Sequence, residues 1–171
     1  GGIARYIESF LNNIPEKNHV ILLTAKRRNL LKFNKNIEVI EIPFSENRFS
    51  KILWGFKCRG IIKNLYVNHK VDLVNIHTPP ILPALFQYSK IPYIITVHGT
   101  FKLHHTIKNK MFIETKMRYL IEKYLFKKAL KIITISNQLK KEMNFYDLPT
   151  NKIIVVPNGV DTNIFKRSFL V

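Results

Sequence analysis

Ile94-Ile95-Thr96-Val97-His98-Gly99-Thr100 is an apolar, largely β-branched run that ends in a histidine with a glycine directly behind it. Such a run reads as a buried parallel strand that delivers a titratable side chain to its carboxyl end. In open α/β sheets ligands bind at that edge, which makes His98 a candidate for chemistry. Gly99 is expected to let the backbone turn sharply there or come close to a ligand.

Outward from this strand the same alternation repeats. Residues 19–24, 37–42, 71–76, 131–135 and 152–156 are short apolar strand-like runs. Between them, apolar residues recur at helical spacing over 3–11, 48–68, 111–129 and 136–144, and Pro79-Pro80 opens a short helix to about Tyr88. On the helix over 111–129 the apolar side is read as Ile113, Met117, Leu120, Ile121 and Tyr124. Ser136 is the expected N-cap of the helix that follows it. Strands alternating with helices predict an α/β fold: a parallel sheet with helices on both faces.

The strand ends share a character. They read Thr24, Pro43, His77-Thr78-Pro79, His98-Gly99-Thr100, Ser136-Asn137 and Pro157-Asn158-Gly159. A parallel sheet puts all of these on one rim. Thr78-Pro79-Pro80 by itself explains a rigid turn after His77. Gly1-Gly2 directly precedes the first helix, where free backbone N–H groups form an anion site suited to a diphosphate. The strand that should feed this glycine pair is missing, and the chain opens without Met and ends on Phe169-Leu170-Val171. A piece of a longer protein is therefore expected.

Bulk composition narrows the classes. At 171 residues and 46% hydrophobic residues, the chain is long and apolar enough for one folded domain. A formal charge of +17, from 28 Lys+Arg against 11 Asp+Glu, attracts phosphate-bearing partners without choosing among them. Composition bias of the source genome explains the lysines equally well. Cys58 is alone, so no intrachain disulfide forms. No apolar run approaches the ~18 residues that cross a bilayer, and no signal peptide is read at the start. No nucleic-acid motif or aromatic stacking pattern is present, and no nucleic-acid partner is expected. Lys51, Lys57, Arg59 and Lys63 alternate with Phe49, Trp54 and Phe56 on one helix. That mixture suits peripheral contact with an anionic membrane, or a helix with its aromatics in the core and its lysines in water.

Gly1-Gly2-Ile3-Ala4-Arg5-Tyr6, Val71-Asp72-Leu73-Val74-Asn75-Ile76-His77, Thr96-Val97-His98-Gly99, Ile135-Ser136-Asn137 and the segment Val156-Pro157-Asn158-Gly159-Val160-Asp161-Thr162-Asn163-Ile164-Phe165 occur together in this order. The combination resembles the N-terminal half of retaining GT-B glycosyltransferases of family 4, the group 1 glycosyltransferases. The last element is the most specific. The resemblance implies a Rossmann-like N-terminal GT-B domain over residues 1–156, lacking its first strand. Residues 157–171 then begin the linker to an absent C-terminal donor-binding domain.

It further implies transfer of a sugar from a nucleoside-diphosphate sugar to a glycan or lipid-linked acceptor, in polysaccharide or glycolipid biosynthesis. The nucleotide sugar is a co-substrate; no cofactor and no metal site are expected. His98 is carried over as the catalytic-site residue beside the transferred sugar. Gly1, Gly2 and Gly99 lie on the side of the donor diphosphate and sugar. His77, Thr100 and His104 are assigned to the acceptor side, and Asn158, Gly159 and Asp161 to the hinge. The location implied is cytoplasmic, at or near the inner membrane face. The donor clamp lies outside these residues, so the chain alone is expected to transfer sugar poorly. Two other readings stay open: a non-catalytic polyanion-binding Rossmann-like module, and a GT-B-fold sugar-nucleotide epimerase.

Overall fold

In the computed structural model, residues 2–25, 33–45, 47–77, 91–99 and 112–159 are described. The elements run α1 (Gly2–Asn12), β1 (Val20–Ala25), β2 (Ile37–Ile42), α2 (Arg48–Val67), β3 (Val74–His77), β4 (Tyr93–Val97), α3 (Phe112–Lys128), β5 (Lys131–Thr134), α4 (Asn137–Met143) and β6 (Ile153–Val155). Short 3₁₀ turns cover Asn144–Tyr146 and Thr150–Lys152. Strands and helices fall where the apolar periodicities put them. The helix read over Pro79 to Tyr88 lies outside the described residues.

All strand pairs are parallel, in an α/β arrangement flanked by helices. They form two ladders, β1-β2 and β3-β4-β5-β6, where the sequence suggested one sheet. β1 and β3 are not paired with each other, so among the described residues each has a ladder partner on one side only. Helix α1 packs at the ends of β3 and β4 and is tied by hydrogen bond to the loop before β2. Tyr6 packs on His77 and His98 of the larger ladder. Near its C-terminal end, Asn34 Nδ2 donates to the carbonyl of Asn12 at 3.4 Å. Just beyond, Asn36 Nδ2 donates to the carbonyl of Asn18 at 2.9 Å.

The core lies on the larger ladder. Ile76, Tyr93, Ile95, Val97, Ile132 and Ile153 pack with Leu125, Phe126 and Ala129 of α3 and with Leu139 and Met143 of α4. Each Ile, Val, Leu, Phe or Met side chain among these contributes roughly 1.5–3 kcal/mol on leaving water. The Tyr93 hydroxyl donates to the Leu125 carbonyl at 2.9 Å, fastening β4 to α3. Burial pushes that phenol up to about 12.

The buried face of α3 differs in part from the one read in sequence: Ile121 packs against the core, and the side chains of Ile113 and Met117 lie outside what is described. Leu120 and Tyr124 are 53% and 59% exposed, while Leu125, Phe126, Ala129 and the carboxylate-bearing Glu122 are buried. A polar partner explains the rotation: the buried Tyr146 hydroxyl donates to Glu122 Oε2, so Glu122 enters the interior with its oxygen satisfied.

Helix ends follow their local chemistry. Ser136 caps α4 as expected, its hydroxyl accepting from the Leu139 N–H at 3.1 Å. Asn47 caps α2 through the Ser50 N–H at 2.6 Å. The same helix ends with His69 in the left-handed region, φ 54°. The N–H groups of His69 and Lys70 then reach the carbonyls of Tyr66 and Leu65. That closes the last turn and sends the chain toward β3.

Candidate functional site

The site is built at the carboxyl ends of β3 and β4. His77 is the last residue of β3 and pairs with Thr96 in the parallel register. His98 follows β4 and lies two residues past Thr96, on the same side of the strand by its period of two. The two imidazoles therefore meet diagonally across the ladder. Their rings are 5.4 Å apart and 25° from parallel, with His77 Nδ1 3.1 Å from His98 Nε2. Beside them, the Thr96 hydroxyl donates to Asn75 Oδ1 at 2.9 Å, a second polar link between the same strands.

The third wall comes from α1. Tyr6 sets its ring edge-on against His98, with centroids 4.8 Å apart and planes 70° apart. It also lies 5.9 Å from His77, and Phe10 stacks with it at 6.1 Å. Tyr6 escaped sequence reasoning because it looked like one more apolar position of an amphipathic helix. Its place beside the Gly-Gly start of α1 was the available signal.

Burial dominates the electrostatics. The His77 imidazole is pushed down to about 4, first by burial and then by the nearby His98. Burial also lowers His98 and raises the Tyr6 phenol. At neutral pH the cluster is a pair of neutral imidazoles under a neutral phenol. Such a pair binds by hydrogen bonds at fixed ring nitrogens rather than by charge.

The described glycines at the site lie in open surroundings. Gly2 is the first residue of α1, and Gly99 follows His98. Neither has positive φ, and a Cβ on either would meet nothing within 4 Å. Gly99 therefore does not occupy the left-handed region; the chain bends at His98, and residues 100–111 lie outside the described residues. Asn158 and Gly159 are exposed, past the end of β6, and Gly159 is equally open. Gly1, Thr100, His104 and Asp161 lie outside the described residues.

A separate cavity of about 300 Å³ opens past the carboxyl end of β2, walled by Phe44, Leu53 and Trp54 with Ser45, Ser50 and Lys57 at its polar side. Phe44 meets the Trp54 indole edge-on at 5.9 Å. Among the described residues no group of three or more His, Cys, Asp or Glu side chains is placed to hold a metal ion. No described helix is long and apolar enough to cross a membrane.

Comparison with known proteins extends this geometry. The chain is similar to a probable sucrose-phosphate synthase of Thermosipho melanesiensis, 30% identical over 152 residues. That likeness takes in 77% of this chain and 36% of the relative, so the chain spans little more than a third of that protein's length. The family model of Glycosyltransferase Family 4 matches residues 1–164, which includes α1, both histidine-bearing strand ends and the Pro157-Asn158-Gly159 segment. With a parallel α/β fold and nearly the whole chain matched, the chain belongs to Glycosyltransferase Family 4.

Proposed function

We propose that residues 1–156 form the acceptor-side domain of a glycosyltransferase that moves a sugar, with retention at the anomeric carbon, from a nucleoside-diphosphate sugar to a glycan or lipid-linked acceptor. Residues 157–171 lead to the donor-binding domain in this reading. The supporting observation is the neutral His77–His98 pair at the carboxyl ends of adjacent parallel strands, closed over by Tyr6. A relative named for sucrose-phosphate synthesis supports sugar transfer as the reaction class.

Departure of the nucleoside diphosphate builds negative charge on the leaving phosphate and positive charge on the sugar ring. His98 hydrogen-bonds a sugar hydroxyl or a phosphate oxygen. The first turn of α1, opening at Gly2, offers backbone N–H groups to the diphosphate. Retention follows from departure and attack on one face of the sugar, and no metal takes part. Because the donor is held mainly by the second domain, residues 1–171 alone transfer sugar poorly.

The test uses the full-length protein and a panel of radiolabelled nucleoside-diphosphate sugars. Transfer should appear with one of them, and the product should keep the donor's anomeric configuration. His98→Ala should lower kcat/KM by on the order of 10²–10³-fold with an unchanged melting temperature. Full activity in that variant takes His98 out of the site.

The same proposal includes peripheral contact with an anionic membrane, at the inner face of which a lipid-linked acceptor is met. Half-exposed Phe44 and Leu53 stand beside Lys57 near the cavity, which supports it. Sedimentation should be stronger with anionic than with neutral vesicles; equal, negligible binding to both removes this part.

A further inference from the structure

His77 and His98 meet ring nitrogen to ring nitrogen at 3.1 Å, and this pairing carries information about which atom of His98 meets a ligand. We propose that His77 is a positioning residue for His98. Its Nδ1–H donates to Nε2 of His98 and so fixes the proton of His98 on Nδ1, the ring nitrogen left to donate to a phosphate or sugar oxygen. For the ligand this rests on the sugar-transfer reading above. For the pairing it rests on geometry alone.

The separation of 3.1 Å between the two ring nitrogens is a hydrogen-bond distance. Such a contact needs one N–H and one lone pair, so a single proton lies between the rings. Two assignments satisfy that count. If His98 donated from Nε2, its Nδ1 would carry a lone pair and repel a phosphate oxygen, which has lone pairs of its own. If His77 donates, His98 holds its proton on Nδ1 and becomes a donor toward the anion. A diphosphate-bearing ligand selects the second.

The geometry also holds the ring still. Tyr6 covers one aspect of His98 edge-on at 4.8 Å, and His77 stacks at 25° on the side of the neighbouring strand. The Asn75–Thr96 link ties the two strands at the level of the register pair His77↔Thr96. Among the described residues, the titratable groups in ring contact with His98 are thus Tyr6 from α1 and His77 from β3. Burial disfavours a charged ring at either histidine, so the pair stays neutral where the tautomer matters.

The test reads the tautomer directly by long-range ¹H–¹⁵N NMR of the imidazoles in the full-length protein near pH 7. Wild type should show His98 protonated at Nδ1. His77→Leu should release it to the Nε2–H form. His77→Asn, whose amide NH₂ occupies the place of Nδ1, should restore the wild-type state. In the transfer assay His77→Leu should lower kcat about tenfold with little change in KM for the donor, and His77→Asn should recover most of that loss. In a His98→Ala background, His77→Leu should have no additional effect on rate.

A wild-type His98 protonated at Nε2, or a tautomer indifferent to His77→Leu, overturns the proposal. So does a changed tautomer with unchanged kcat. The spectroscopic arm does not depend on turnover. A protein with the predicted tautomer and no sugar transfer refutes the functional reading while leaving the pairing intact.

Discussion

β1 and β4 are both short, apolar and parallel, yet they end in different environments. Ile95, Thr96 and Val97 of β4 are essentially dry. Every residue of β1, Val20-Ile21-Leu22-Leu23-Thr24-Ala25, is only half-buried. The difference lies in what surrounds each strand. β4 has ladder partners on both sides and α3 across its face. β1 pairs with β2 alone among the described residues. Strand composition states what could be buried; neighbours decide how much is. The candidate site grows from the drier region, which suits imidazoles whose neutrality depends on exclusion of water.

The comparison can be broken by measurement, beginning with the strongest effect. Ile132→Ala, at the centre of the four-stranded ladder, should cost roughly 3–4 kcal/mol by leaving a cavity among β4, β6 and α3. Acid should have the next largest effect. The unfolded chain takes up a proton at His77 as pH falls through its ordinary value of 6.5, whereas the folded chain resists until about 4. Stability should therefore be level above neutrality and fall by roughly 2–3 kcal/mol between those values. His98 pulls in the same direction. In His77→Leu the slope should shrink, which denaturation series at several pH values will show; an unaltered slope assigns the acid sensitivity elsewhere. Leu22→Ala in β1 should cost least, about 1–2 kcal/mol, because a half-buried side chain has less transfer energy to lose. Equal costs for Ile132→Ala and Leu22→Ala would erase the distinction between the two ladders.

The fold was legible because each strand is a compact run of β-branched or apolar residues, most of them closed by Pro, His or Ser. His98 was legible as a strand terminus. Its partner was not, since the His77–His98 contact depends on β3 and β4 being neighbours and on a register that sets His77 opposite Thr96. Both are tertiary facts. Two histidines closing consecutive parallel strands were the trace left in the sequence. Part of the face of α3, at Leu120 and Tyr124, was misread for another reason. Lysines and aromatics fall on all sides of that helix, so its periodicity is weak, and the deciding residue is a glutamate made tolerable inside by Tyr146.

The division of the strands into two ladders also bears on how the chain behaves in solution. β1 and β3 each keep one flank whose main-chain donors and acceptors lack a ladder neighbour among the described residues. Flanks of that kind act as templates for extended segments, including those of other copies. The +17 charge opposes such encounters through long-range repulsion, which salt screens within about 10 Å at 0.1 M. Wherever such a flank is open, its pull toward other extended segments and the like charge of the chain oppose each other, and ionic strength shifts the balance.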